Sequence, residues 1–243
     1  MKKILYINGC SHSCGAEIEY KNSFRTQFDL DNCFGGLIAD RYKIPYHNDA
    51  WRAQSNKAIY SSSVFSLLNL LKIYDPSEIF VLIGWSGYER TEVVYDDRLY
   101  RICANLPQDH NPRYIQKFYK SWVIRANGDV WRNDFSLWYF AMKNFLDLYK
   151  IDYLFFNAVH SISEPPKKNL LHISSNNQAD QNLFEIIRND KNFVEPFSED
   201  HSFYMRMKKK YDPLEGGRYH HFGIEAHKEW ADILIPYVDK KLT

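Results

Sequence analysis

No stretch of this 243-residue sequence approaches the roughly 18 consecutive apolar residues that a membrane-spanning helix requires. Charge imbalance is nearly absent as well, with 31 Lys and Arg against 30 Asp and Glu. The first absence predicts no membrane partner, and the second leaves no global attraction toward nucleic acid or anionic lipid. The run Lys208-Lys209-Lys210 is too short to alter that balance and reads as a solvated face. A secretory signal is also missing. Lys2-Lys3 precede only residues 4–7 before Asn8-Gly9, short of the roughly 7–15 apolar residues of a signal core. A soluble protein, cytoplasmic or virion-associated, is the expectation.

Cysteine is scarce. Four residues, at positions 10, 14, 33 and 103, are too few for a disulfide framework and read as reduced thiols. Cys10, His12 and Cys14 form a C-x-H-x-C cluster without the second half of a zinc finger. No metal and no cofactor is therefore expected, with a zinc site completed by a C-terminal histidine as the alternative. Repeats and low-complexity segments are absent too.

What is abundant is aromatic. Tyr, Phe and Trp make up 16% of the chain, enough to fill a core and to offer flat rings to sugar or peptide surfaces. A hydrophobic share of 45% with 25% charged residues is ordinary for a globular protein.

Four short apolar runs bounded by turn residues read as strands, at 4–7, 44–47, 79–83 and 153–156. Between and after them, apolar residues recur at helical spacing: Val64, Leu67, Leu68, Leu71 and Tyr74; Trp138, Ala141, Met142, Phe145 and Tyr149; Ala226, Trp230, Ile233, Leu234 and Tyr237. Pro236 is expected to kink or close the last helix. The alternation predicts an α/β fold, a mainly parallel sheet with helices on both faces. Residues 96–133 and 160–220 fit it poorly and are read as insertions in one domain spanning 1–243, lying over the carboxyl ends of the strands.

Chemistry concentrates at strand ends. The first strand runs into Gly9-Cys10-Ser11-His12-Ser13-Cys14-Gly15, where a serine meets glycines that allow a sharp turn and close backbone approach. After the second strand come Asn48-Asp49-Ala50 and Ala53-Gln54-Ser55-Asn56, the last two also able to cap a helix over 57–74. The third strand leads into Gly84-Trp85-Ser86-Gly87-Tyr88-Glu89-Arg90. The fourth block is Tyr219-His220-His221-Phe222 with His227 six residues after His221, at the start of the C-terminal helix.

Together, in this order, these blocks resemble the SGNH (GDSL-like) hydrolases, and the Gly-Trp-Ser block with its following arginine resembles the variants of tailed bacteriophages. Gly9, Ser11 and Gly15 match the family's G-x-S-x-x-x-G. Ala53 stands where the family has an oxyanion-binding glycine, and Ser86 where it has an asparagine. The resemblance implies a three-layer α/β/α sandwich of flavodoxin-like type and a metal-free serine esterase. Its substrate would be a small-molecule or carbohydrate ester, with O-acetyl sugars a natural choice. It implies Ser11 as nucleophile and His221 as base, with an oxyanion site drawn from Ser11, Ala53, Ser86 and Asn56. Arg90 and Trp85 are candidate substrate contacts, although Arg90 has a surface ion pair with Glu89 or Glu92 as an equal alternative.

One feature of the family is missing. The slots two and three before His221 hold Tyr219 and Arg218, not aspartate. Either the site is a Ser–His dyad or another carboxylate orients the imidazole; Asp212, Glu215 and Asp200 are nearest in sequence. A catalytically weakened binding or virion-associated protein on the same fold stays open.

Overall fold

Strict alternation along three strands sorts the core into two halves. A computed structural model describes residues 2–20, 23–104, 109, 111–125, 128–162, 184–213 and 221–242. Strands β1 (Ile4–Gly9), β2 (Tyr46–Asn48), β3 (Ile79–Trp85) and β6 (Asp152–Asn157) form a parallel sheet in the order β2-β1-β3-β6. Leu5, Ile7, Phe80, Leu82, Leu154 and Phe156 point to one face; Tyr6, Val81, Ile83, Tyr153 and Phe155 point to the other. Burial on both faces is why β1 and β3 read as unbroken apolar runs.

Helices α2 (Phe34–Tyr42) and α8 (Ile224–Leu242) cover the first face, α3 (Asn56–Leu70) and α5 (Gly128–Tyr149) the second. The product is an α/β/α sandwich. Most of the aromatic supply is consumed here: Trp230, Phe34, Phe156 and Phe203 on one side, Trp85, Tyr139 and Phe155 on the other, are almost completely buried. Each such side chain contributes roughly 1.5–3 kcal/mol by leaving water.

Shorter elements complete the chain: helix α1 (Gln27–Asn32), helix α4 (Arg113–Arg125), a helical turn α6 over 184–188 and helix α7 (Phe203–Met207). Among the described residues no helix is long and apolar enough to cross a membrane. Pro236 does not close α8, which runs on to Leu242. The proline lies on the exposed side, while Leu234, Ile235 and Val238 keep the opposite side buried.

The two insertions resolve differently from a loop. Strands β4 (Arg90–Tyr95) and β5 (Arg98–Cys103) form an antiparallel hairpin. Its two-residue turn, Asp96 and Asp97, holds φ of +49° and +55°, the left-handed pair that matches strand twist. In the second insertion, bridges Phe155↔Phe193 and Asn157↔Ser202 continue the parallel pairing beyond β6. Residues 163–183 and 214–220 of that insertion lie outside the described residues.

Gly9 and Gly84 face each other in register at the carboxyl ends of β1 and β3. A methyl group on Gly9, whose φ is +152°, would stand 2.2 Å from Ser13 Oγ and 2.7 Å from the Gly84 carbonyl. Gly9→Ala is therefore expected to lower the unfolding free energy by about 2–3 kcal/mol, through overpacking and backbone strain together. Urea denaturation of the two proteins measures it, and an unchanged midpoint would mean the loop relaxes without cost.

Candidate active site

Three loops leave the carboxyl edge of adjacent strands and meet where the chain order reverses between β1 and β3, the crevice in which open α/β sheets place ligands. The first loop coils tightly after β1, with Ser13 N–H bonded to Cys10 O at 2.9 Å and Ala16 N–H to Ser11 O at 3.1 Å. Gly15 allows this coil: its φ is +65°, and a Cβ would sit 2.4 Å from the Asp29 carbonyl. The coil buries Ser11 and ends at Glu17, itself held at φ +69°.

The second loop is tied to the first, since Trp51 N–H donates to Gly9 O at 3.2 Å. Trp51 to Gln54 then form a turn closed at 3.3 Å, with Ala53 in its third position at φ +54°. That position favours glycine, and alanine there costs about 1–2 kcal/mol. The third loop is fastened by Asn56, whose Oδ1 accepts from Ser86 N–H at 2.8 Å while its Nδ2 donates to Ser86 O at 3.1 Å. Ser55 caps α3 by accepting from Ala58 N–H at 3.2 Å. Among the described residues the N–H groups of Ser11 and Ala53 and the buried hydroxyl of Ser86 meet no hydrogen-bond partner.

His221 reaches this edge from the start of α8. Its Nδ1 is 2.8 Å from Glu17 Oε2, and both side chains are buried. The carboxylate bonded to the imidazole comes from the serine's own loop, six residues after Ser11, and not from the C-terminal segment in which Asp212 and Glu215 are the expected candidates. Asp212 is not the group bonded to His221, and Glu215, with Arg218, Tyr219 and His220, lies outside the described residues. Asp200 pairs instead with Lys209 at 2.6 Å. Nothing in the spacing around His221 could reveal Glu17, which is delivered by the coil that Gly9 and Gly15 permit.

Because an ionised carboxylate only accepts, a neutral His221 donates from Nδ1 and carries its lone pair on Nε2. Burial lowers the His221 pKa; the Glu17 carboxylate pulls it back up, and the charges of Arg90 and Arg52 push it down again. The ring of His12, next to Ser11 in the chain, stands edge-on to His221 at 5.4 Å and packs on Phe203 and Tyr204. His227 is buried one turn into α8, stacked on Phe34, and its Nδ1 accepts from Phe34 N–H at 3.4 Å.

Trp85 is not a substrate contact. Its ring lies in the core, edge-to-face with Phe135 at 5.6 Å and Phe155 at 5.4 Å. The two cysteines of the C-x-H-x-C cluster belong to different packing clusters. Cys10 packs into the core under α8, and Cys14 into a separate cluster with Ala16 and Ala50. Among the described residues no group of three or more His, Cys, Asp or Glu side chains is arranged to hold a metal ion. Arg90 lies at the start of β4 beside a cavity of about 260 Å³ that also meets Ser55, Asn56 and Lys57.

No protein-family model and no curated protein sequence matches this chain. Solved structures do match it. The psychrotrophic esterase EstA from Pseudoalteromonas sp. aligns with 99% of this chain and 99% of its own, at a TM-score of 0.50 and 13% identity. A carbohydrate esterase family 2 enzyme with a carbohydrate-binding domain, from Corynascus thermopiles (Myceliophthora fergusii), aligns with 100% of this chain and 67% of its own, with a TM-score of 0.54 and 12% identity. A GDSL-like lipase from Bacteroides thetaiotaomicron aligns with 99% of this chain and 89% of its own, at 0.50 and 11%. The chain has the α/β fold of these hydrolases.

Burial holds His12, His221 and His227 below their ordinary values, His227 down to about 3. The unfolded chain regains a value near 6.5 and takes up protons that the folded protein refuses. Stability from this source is complete above about pH 6.5 and is lost as pH falls toward the folded values. The urea midpoint should decline between pH 6.5 and 4, and His227→Asn, which keeps an acceptor for Phe34 N–H, should flatten the decline. Parallel profiles for the two proteins would exclude His227 as a source.

Proposed function

We propose that this protein is a serine esterase that cleaves short acyl groups, foremost O-acetyl groups on a carbohydrate, with Ser11 as nucleophile, His221 as base and Glu17 as its orienting carboxylate. The observation that carries the reading is the 2.8 Å bond between Glu17 and His221, because it supplies the one part of the triad absent from the chain around His221. The histidine is kept neutral by burial, and its lone pair on Nε2 is the tautomer a general base requires.

In this mechanism the Ser11 hydroxyl proton passes to His221 Nε2 as Oγ bonds to the acyl carbon. The negative charge on the former carbonyl oxygen is received by the N–H groups of Ser11 and Ala53 and by the Ser86 hydroxyl. His221 then protonates the departing alkoxide as the C–O bond breaks, and water, deprotonated by the same imidazole, releases the acyl group. Asn56 serves as a positioning residue here, since both ends of its amide hold the Ser86 backbone. A serine hydroxyl in place of an amide donor is less rigid, so modest turnover is expected.

EstA, inhibited in its structure by monoethylphosphonate, is named as an esterase and the Corynascus protein as a carbohydrate esterase. The carbohydrate part of the proposal draws on that likeness. The resemblance to phage proteins is carried by residues 84–90 alone and adds nothing to the chemistry.

Purified protein should hydrolyse 4-nitrophenyl acetate and be labelled at Ser11 by a fluorophosphonate, with Ser11→Ala losing at least ~10³-fold in kcat. No labelling and no hydrolysis would favour the binding-protein alternative. Glu17→Ala has a second readout. Glu17 raises the His221 pKa, so its removal should move the acid limb of kcat/KM to lower pH while the plateau falls by about 10²–10⁴-fold. An unmoved limb would take Glu17 out of the mechanism.

A further inference from the structure

Arg90 forms no ion pair with either neighbouring carboxylate. Its Nε and Nη1 are buried and meet no acceptor among the described residues, and the partner of the guanidinium is the Cys103 thiol, with Glu89 near enough to attract it. Glu92 is occupied elsewhere: its two oxygens accept from the N–H (2.7 Å) and the hydroxyl of Ser55. Glu89 turns toward Gly87 and faces His160 Nε2 at 3.8 Å. A buried guanidinium left with unmet donors is costly, and folds keep such groups where something else supplies the acceptors.

The cavity beside Arg90 is lined by Asn56, Lys57, Tyr88, Trp122 and Trp138. One carboxylate, Asp134, stands in the lining against the two cations Arg90 and Lys57, so the lining leans positive. A second group of arginines gathers about Trp51 on the neighbouring loop, where Arg25 also donates to Asn48 O at 2.6 Å. Arg25 and Arg101 lie 5.1 and 5.7 Å from the Trp51 ring, and Arg52 lies 4.0 Å over Phe24, which itself meets Trp51. Arg101 Nε is likewise buried without an acceptor. In a chain of net charge +1, this gathering of arginines about Trp51 and Phe24 is a local one.

We infer that Arg90 and the cavity it lines receive an anionic group, a carboxylate or a phosphate, carried by the sugar part of the acylated substrate. The inference rests on the esterase reading for the word acylated, and on the unmet donors of the guanidinium for the anion. A guanidinium offers a planar fork of donors that matches either oxyanion two-point fashion, which lysine cannot. About 260 Å³ lies near the lower end of small-ligand sites, room for one sugar ring, and Trp138 and Tyr88 supply aromatic surface beside it. The anion is positioned through Asn56, which borders the cavity and grips Ser86, so binding and oxyanion loops share one residue.

The test compares O-acetylgalacturonic acid and O-acetylgalactose 6-phosphate, each against O-acetylgalactose, with calorimetric binding of galacturonate and galactose measured in parallel. The wild-type protein should prefer at least one anionic ester by about 10- to 100-fold in kcat/KM, and the favoured arm identifies carboxylate or phosphate. Arg90→Gln should bring that ratio close to one, and Arg90→Lys should keep part of it. If Arg90→Gln does not fold, the wild-type ratios and their decline with salt decide the matter alone. Equal kcat/KM for all three esters, with equal binding of the two sugars, overturns the inference and leaves the esterase reading intact. Arg90-dependent binding of galacturonate without hydrolysis of any ester overturns the esterase reading and keeps the anion site.

Discussion

The approach of the first loop to the sheet, where Gly9 and Gly84 lie side by side without side chains, is the constraint on which the candidate site depends. Ser13 occupies the space that two Cβ atoms would claim. With that room available, the chain can coil back over the ends of β1 and β3 within seven residues, carrying Ser11 into a buried position and Glu17 to His221. A bulkier residue at either glycine would lift the coil and separate the carboxylate from the imidazole. Backbone strain collects at the same place: Glu17 and Ala53 both hold positive φ, the kind of expense that persists only where surrounding contacts over-determine it.

Electrostatics around the crevice point one way. His221 sits in a dry environment that disfavours its charged form, next to a second buried imidazole and within reach of two arginines. Glu17 is the one contribution in the opposite direction that bonds directly to the ring. The balance keeps the histidine neutral at rest while placing a carboxylate where an imidazolium would need it. The same arginines that resist protonation of His221 would draw an anionic ligand toward the edge of the sheet.

Much of this architecture was legible in the residues. All four parallel strands, three of the four helices that cover the sheet and the order of the motif blocks follow from apolar periodicity and turn residues, because burial on both faces leaves a strong pattern; α2, with Gly35 and Gly36 in its first turn, does not. The hairpin β4–β5 was hidden. Its strands are half-exposed and rich in Arg, Glu and Tyr, and its turn uses Asp96-Asp97 instead of a glycine-containing pair. Ser11, Ala53 and Ser86 lie on the loops that follow β1, β2 and β3, and His221 meets the first of these loops through Glu17. Trp85 went astray because a residue flanking a motif serine can as easily point into the core; its place on β3 alternates with Gly84 and Ser86, which fixes that direction. Glu17 could not be read at all, since its meeting with His221 spans 204 residues and depends on a coil whose path no periodicity records.

The wiring of Glu17 has a consequence for how such chains are found. On the proposed reading, an acid recruited from the nucleophile's own loop releases the positions before the histidine from any requirement for aspartate, and the sequence has Arg218 and Tyr219 there. Searches keyed to an aspartate upstream of a C-terminal histidine pass over every chain built this way. A pattern joining Gly-x-Ser-x-x-x-Gly to an acidic residue six places after the serine would recover them.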